Sequence, residues 1–538
     1  MRSSVLKAHT ALGLGITMIL FLLWVPVSAQ ETVTIDSGTL RGVAADGVIA
    51  FKGVPFAAPP VGDLRWRPPQ PAPHWNRTRS AAEYGHDCMQ LPFPSDAAPL
   101  GTKPDEDCLV LNVWRPQAQT DHKLPVMVWI YGGGWVNGGS SPSVYDGTQF
   151  AKGGVVFVSF NYRLGRFGFF AFPALTKEDP NGLQGNYGYM DQIAALKWVQ
   201  RNIEAFGGDP SQVTIFGESA GGFAVNTLLN TPLTDGLFER AIIESGGGRG
   251  GGPGGSSYLS EAVNGKPSAE SIGVAFAKSK GIDGDGPDAL AKLRSLPAEE
   301  IVNGLNMASM FQQASTYSGP MIDGKIVTEN LTASYLAGKQ HRVPVIVGAN
   351  SMDIGFTMAR TEKELFAPFG ANATKAEAVY DPQHTANLRV VGQKVAGDAM
   401  MIEPARFIAQ TLSSDGQPVW EYRFSYVADS MRTQWPGAPH ASEIPYVFDT
   451  VKDRYGAALT PADEQAAKVM NAYWLQFAKT GNPNGAGLPH WPAYHTQSDK
   501  LMDFTDHGPV SEPDSWKARL DLTEHLAATS STSASSHR

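Results

Sequence analysis

Cysteine and charge are both scarce in this chain. Only Cys88 and Cys108 occur in 538 residues, which excludes a disulfide-dense scaffold and a zinc ribbon held by four cysteines. Charged residues make up 18%, too few for a disordered protein, while 42% hydrophobic residues can bury a large core. A basic excess is also missing: 43 Lys and Arg face 52 Asp and Glu, a formal net charge of −9. Such a chain is a poor match for a polyanionic partner, so no nucleic acid is expected. No internal repeat is present, and no long linker divides the body. Length alone suggests two to four domains at roughly 100–200 residues each, or one oversized α/β fold. Glycine (57) and proline (38) are frequent and imply many tight turns.

The one long apolar run lies at the start. Arg2 and Lys7 precede an uncharged apolar stretch from Ala11 to Val27, and Val27, Ser28 and Ala29 offer small residues for cleavage. Residues 1–29 therefore read as a signal peptide, giving a secreted or periplasmic protein with no stable membrane span after cleavage. The alternative is a retained anchor, since the run approaches spanning length. Pro26 and the small residues after it favour cleavage. Export implies an oxidising compartment, and with it a Cys88–Cys108 disulfide in preference to two buried thiols. At the other end, residues 527–538 are rich in Ser, Thr and Ala and are expected to be a disordered tail.

Between these ends, short runs rich in β-branched and aromatic residues read as buried parallel strands: Pro125–Ile130, Val155–Phe160, Val213–Phe216, Ala241–Glu244 and Pro344–Gly348. Asp191–Glu204 carries Ile193, Leu196, Trp198, Val199 and Ile203 largely on one side and reads as a helix. The alternation predicts a doubly wound α/β sheet. The glycine-rich stretch Gly246–Gly255 lacks the Gly-Lys-Ser/Thr ending of a P-loop and the acid-bearing unit of a dinucleotide site, so it reads as a flexible loop.

The sharpest feature is Gly217-Glu218-Ser219-Ala220-Gly221. This Gly-x-Ser-x-Gly run follows an apolar strand and precedes a helical stretch from Phe223 to Leu229. A strand-to-helix turn that tight needs glycine on both sides of the serine and pushes the Ser219 hydroxyl out of the sheet. A serine nucleophile needs donors for an oxyanion. Gly132, Gly133 and Gly134 follow the strand ending at Ile130, and the N–H groups of Gly133, Gly134 and Ala220 are the expected donors.

With these features in place, the sequence resembles the type-B carboxylesterases of the cholinesterase-like α/β-hydrolases. The resemblance spans nearly the whole exported chain. It runs through Ser37–Gly42, Phe51–Ala57, Pro59–Arg65, Glu106–Asn112, Phe206–Pro210, the Ser219 pentapeptide, Phe477–Asn484, and Trp491 with Pro492. It implies a single large α/β-hydrolase domain over residues 30–526, with a mostly parallel central sheet and helices on both faces. It also implies a serine carboxylic-ester hydrolase for small-molecule esters, with no metal or organic cofactor.

In this class the acid and then the histidine follow the serine. His440, in Gly437–Phe448, resembles the family's catalytic histidine and is preferred to His341, His384 and His490. By resemblance the acid is Asp353, in Ala349–Gly355. The family usually has glutamate followed by glycine there; this chain has aspartate followed by Ile354, with Gly355 one place later. Glu362 and Glu364 are possible substitutes. Ser245 maps to a serine that supports the acid, and Glu218 stands beside the nucleophile. The acyl pocket, placed from Gly319–Gly324, maps to Ala314 and Thr316, small residues that would leave it roomy. No tryptophan lies between Cys88 and Cys108, which argues against a cholinesterase. Two alternatives remain open: a non-catalytic adhesion protein of the same fold, disfavoured by the retained Ser219 and His440, and an amidase or peptidase on the same triad.

Overall fold

The computed structural model describes residues 31–535 apart from 95, 119, 180–181, 251–255 and 386. The expected signal peptide and part of the glycine-rich loop lie outside the described residues. An 11-stranded sheet organises the chain. Its strands in chain order are β1 (Val43–Ala45), β2 (Val48–Pro55), β3 (Val110–Pro116), β4 (Leu124–Ile130), β5 (Val156–Phe160), β6 (Gly208–Glu218), β7 (Arg240–Glu244), β8 (Val345–Asn350), β9 (Val419–Phe424), β10 (Lys500–Thr505) and β11 (Gly508–Pro513). The spatial order is β11-β10-β9-β8-β7-β6-β4-β5-β3-β2-β1. From β5 through β4, β6, β7, β8 and β9 to β10 every pairing is parallel. The outer strands on both sides pair antiparallel.

Parallel strands are covered on both faces, and the central ones are apolar throughout for that reason. Val126, Met127, Val128, Trp129 and Ile130 of β4 are fully buried. The Trp129 ring packs 4.9 Å from Phe216 of β6 and 5.0 Å from Phe448, centroid to centroid. The expected helix is present as α1 (Tyr187–Asn202) and passes into a 3-10 turn that ends at Gly207, φ 82°. Helix α2 (Ala220–Asn230) follows β6 directly. Helix α3 (Pro461–Thr480) starts with a capping box between Thr460 and Asp463 and stops at Gly481, φ 73°.

Helix α4 (Lys517–Ser535) corrects one expectation. Residues 527–535, expected to be a disordered tail, continue this helix. Its start is anchored by Arg519, which pairs with buried Asp398, and by buried Leu520 and Leu522. Once a helix is nucleated by packing, adding residues such as Ala527 and Ala528 costs little. The disulfide is formed between Cys88 and Cys108, both buried, across a sequence separation of 20. Among the described residues no helix is long and apolar enough to cross a membrane.

Candidate active site

The site forms where β6, β7 and β8 end. Ser219 joins β6 to α2 with φ 55° and ψ −123°, a conformation that costs a non-glycine residue energy and persists only under constraint. The flanking glycines supply the space. A Cβ on Gly217 would lie 2.7 Å from the Gly221 backbone, and one on Gly221 would lie 1.9 Å from the Ile130 carbonyl oxygen. The clash read from the sequence is therefore present, with strand β4 as a third party. The Ser219 N–H donates to the Glu244 carbonyl at 3.0 Å, which ties the turn to β7.

His440 reaches this serine from a segment pinned to the loop after β8. The Met352 N–H donates to the Ala438 carbonyl at 2.9 Å, and the Asn350 amide donates to the Pro439 carbonyl at 2.7 Å. The imidazole then lies between two partners, with Nε2 2.8 Å from Ser219 Oγ and Nδ1 2.6 Å from Asp353 Oδ1. Asp353 is buried, 1% exposed. Three more donors converge on its carboxylate: the Ser245 hydroxyl at 2.7 Å and the Asn350 N–H at 2.9 Å on Oδ2, and the Ile354 N–H at 2.7 Å on Oδ1. The displaced glycine has a local reason. A Cβ on Gly355 would lie 2.2 Å from the Gly397 backbone nitrogen, so the loop needs glycine where it meets the helix Leu388–Gly397.

The other candidates stand elsewhere. Glu362 and Glu364 begin a short helix, and Glu364 accepts the Arg360 N–H at 2.8 Å. His341 is held by Thr234 and the Thr231 carbonyl; His384 and His490 are exposed.

The glycine loop lies against the serine: a Cβ on Gly132 would be 2.9 Å from Ser219 Cβ. Gly133 and Gly134 take φ +105° and +63°. The Gly133 carbonyl accepts from Val136 and Asn137, which folds the loop back on itself. Among the described residues no acceptor meets the N–H of Gly133 or Gly134. Ala220 opens α2, so its N–H has no intrahelical partner either.

Buried acids surround the imidazole. Glu218 places Oε1 3.2 Å from His440 Nε2. Glu443, three residues after His440, accepts from the Asn350 amide. Glu244, beside Glu218 in the sheet, accepts the Trp474 indole N–H at 2.7 Å. Burial pushes all three carboxyls up, Glu244 to about 8 and the other two well above the usual range, aided by neighbouring carboxylates for Glu218 and Glu443. Asp353 moves the other way. Burial would raise it, but the charge and hydrogen bond of His440 and the donors from Ser245 and Asn350 hold it below the ordinary range. His440 is raised: burial opposes its cation, and Asp353 outweighs burial. Glu244 and Glu443 had no assigned role in the sequence reading; the only available signal was the position of Glu443 in the histidine segment.

A cavity of about 210 Å³ adjoins this arrangement, lined in part by Trp135, Phe223, Met310 and Ala314. It touches the glycine loop, since a Cβ on Gly134 would lie 3.3 Å from Met310 Sδ. Ala314 is among the residues that line this cavity. Thr316 is not: its hydroxyl and carbonyl both accept from the Arg166 guanidinium, at 3.0 and 2.9 Å. Arg166 is buried and also donates to the Val302 carbonyl and to Gln313 Oε1, each at 2.8 Å, so Thr316 serves that cation instead of lining the cavity.

The fold is that of an α/β-hydrolase. The chain belongs to the carboxylesterase family, whose profile matches residues 29–376 and 362–519, and it is a carboxylesterase. It is 35% identical to the fumonisin B1 esterase of Sphingopyxis macrogoltabida over 488 residues, 87% of this chain and 85% of that one. It is 33% identical to the para-nitrobenzyl esterase of Bacillus subtilis (strain 168) over 490 residues, 88% and 94% of the two chains. A solved PNB esterase structure superposes with a TM-score of 0.76 at 32% identity, covering 92% of this chain and 99% of its own.

Proposed function

We propose that Ser219, His440 and Asp353 are the catalytic triad of this carboxylesterase. The observation that carries the reading is the unbroken chain of contacts, 2.8 Å from Ser219 Oγ to His440 Nε2 and 2.6 Å from Nδ1 to Asp353. Nδ1 bears the proton because it faces a carboxylate, which leaves Nε2 free to accept the serine proton. Ser219 Oγ bonds the ester carbonyl carbon, and the N–H groups of Gly133, Gly134 and Ala220 receive the negative oxygen. The carbon–alkoxy bond then breaks, and His440 returns its proton to the departing alcohol. Water repeats the sequence on the acyl-enzyme and releases the acid. During each cycle the imidazolium is held by ionised Asp353, and its Nε2–H can also bond Glu218 Oε1.

The cavity beside Ala314 supports a roomy acyl site, and the lack of tryptophan between Cys88 and Cys108 supports an enzyme other than a cholinesterase. The composition of residues 1–29 supports export, and removal of the segment through Ala29 is checked by N-terminal sequencing of secreted protein. The triad is tested with Ser219→Ala: turnover of a p-nitrophenyl ester is lost while the protein stays folded. Unchanged turnover would refute the assignment.

A further inference from the structure

One wall of the cavity has little of its own to hold it. Residues 303–316 supply Met310, Phe311 and Ala314 to the lining, and within that segment only Leu305 is buried. The segment is a run of turns, with neither helix nor strand to fix it. It nevertheless stands close to the reaction centre. A Cβ on Gly134 would lie 3.3 Å from Met310 Sδ and 3.6 Å from Met307 Cγ. The Met307 N–H donates to Asn137 Oδ1 at 2.9 Å, which hooks the middle of the segment to the glycine loop. The Phe311 ring lies 5.8 Å from that of Phe356, centroid to centroid, in the chain just past Asp353.

Arg166 grips both ends of this segment. Its Nε donates to the Thr316 carbonyl at 2.9 Å. One terminal nitrogen donates to the Ile301 and Val302 carbonyls at 3.2 and 2.8 Å. The other donates to Gln313 Oε1 at 2.8 Å and the Thr316 hydroxyl at 3.0 Å. All the donors of a guanidinium are thereby used. The neighbouring Gly165 N–H donates to the Trp135 carbonyl at 2.7 Å, so the grip is seated on the glycine loop itself. Arg166 is 1% exposed, and every one of these acceptors is neutral. Burial lowers its pKa to about 10, which leaves it charged at neutral pH. A buried cation is ordinarily paired with an anion; here the oxygens of one loop solvate it instead. Hydrogen bonds from an ionised donor are stronger than neutral ones, and the guanidinium presents them in a fixed plane. A shift of the segment would strip acceptors from a buried charge, so the wall is confined to one arrangement.

We infer that Arg166 is a positioning residue for acyl specificity: it fixes the wall made by residues 303–316, and that wall favours medium-length apolar acyl chains over acetyl. The acyl carbon sits at Ser219, and the methylenes lie against Met310 and Ala314. An acetyl group ends before that wall and gains nothing from it. The inference rests on Ser219 being the nucleophile and on the cavity being the acyl side.

The test compares 4-nitrophenyl hexanoate with 4-nitrophenyl acetate, which share a leaving group. Wild-type enzyme is expected to favour the hexanoate in kcat/KM. Arg166→Met is expected to lower the hexanoate-to-acetate ratio about ten-fold, mainly through KM for the hexanoate. Arg166→Lys, which keeps the charge with fewer donors, should fall between the two. Thr316→Val removes one acceptor at a half-buried position and keeps the shape; a ratio lowered about two- to three-fold is expected even if Arg166→Met does not fold. An unmoved ratio in folded variants, or an equal fall for both esters, overturns the proposal and leaves the esterase reading intact. Ethyl and hexyl acetate vary the alcohol instead; a loss confined to hexyl acetate places the wall on the leaving-group side and overturns the acyl assignment. Calorimetry of 4-nitrophenyl hexanoate on Ser219→Ala protein, with and without Arg166→Met, reads the wall apart from chemistry. Weaker binding with Arg166→Met supports the wall. Turnover that survives Ser219→Ala overturns the triad and not the wall.

Discussion

Asp353→Asn separates charge from shape. The change is nearly isosteric, so the loop after β8 keeps its course. Four donors converge on the two carboxylate oxygens: His440 Nδ1, the Ile354 N–H, the Ser245 hydroxyl and the Asn350 N–H. An amide has one acceptor oxygen. If its NH2 takes the Oδ1 position, it faces the Ile354 N–H and forces Nδ1 to accept; Nε2 is then protonated and cannot take the serine proton. If the NH2 takes the Oδ2 position, it faces the Asn350 N–H, and the imidazolium loses its ionic partner. Either orientation leaves a backbone donor unpaired, at about 1–3 kcal/mol of stability. By analogy with the same change in other Ser-His-Asp enzymes, kcat should fall roughly 10³–10⁴-fold. The pH profile adds a second readout. Activity requires neutral His440, whose titration lies above its ordinary value of 6.5 because Asp353 outweighs burial. Without that carboxylate, burial outweighs the remaining contribution of Glu443 and disfavours the cation, so the acidic limb of kcat/KM moves to lower pH. The assay is p-nitrophenyl ester hydrolysis across pH with substrate varied from below to above KM, which gives both kcat and kcat/KM. A kcat within about ten-fold of wild type and an unmoved acidic limb would show that Asp353 does not hold the imidazole.

Two further outcomes concern stability. Glu244 is pushed up to about 8 by burial, so between pH 4.5 and 8 the unfolded chain ionises it while the folded chain keeps the proton. Folding stability therefore declines as pH rises through that window, on the order of 5 kcal/mol in all. Glu244→Gln keeps an acceptor for Trp474 and is expected to raise Tm at pH 8 relative to wild type, with little difference at pH 5; equal Tm shifts at both would count against a protonated Glu244. Replacing Cys88 and Cys108 together with alanine opens a loop of sequence separation 20 and should cost about 3 kcal/mol in denaturant unfolding, if the chain-entropy model holds; a loss below about 1 kcal/mol would mean the segment is held by its other contacts.

What could be read from the sequence was local. β6, the two glycines and Ser219 form one contiguous stretch, and its strand-turn-helix order states the geometry. His440 and Asp353 came from resemblance, and the glycine displaced to 355 made sense only once Gly397 was seen against it. Strand β9 escaped because Glu421 and Arg423 alternate with Trp420 and Tyr422 like a solvated face. Both are buried, and Arg423 is satisfied by Asp514 at 2.9 Å and by the Trp516 ring at 3.7 Å, partners some 90 residues later. Thr316 failed for a similar reason, since its partner Arg166 is 150 positions away.

The acid cluster is a consequence of register that no single stretch of sequence contains. Glu218 of β6 pairs with Glu244 of β7, and Glu244 with Gly348 of β8, whose loop carries Asp353. Adjacent parallel strands end at the same level, so side chains at their ends share one small buried volume. One imidazole stands in that volume, and it cannot neutralise four carboxylates. Asp353 has the His440 contact and three further donors, whereas Glu218 has no donor of that kind on Oε1 and Glu244 has one indole. The charge therefore rests on Asp353, and the other carboxyls stay protonated. That division keeps the imidazolium paired with a single ion on its Nδ1 side, and it leaves Nε2 facing only the serine hydroxyl and a neutral acid.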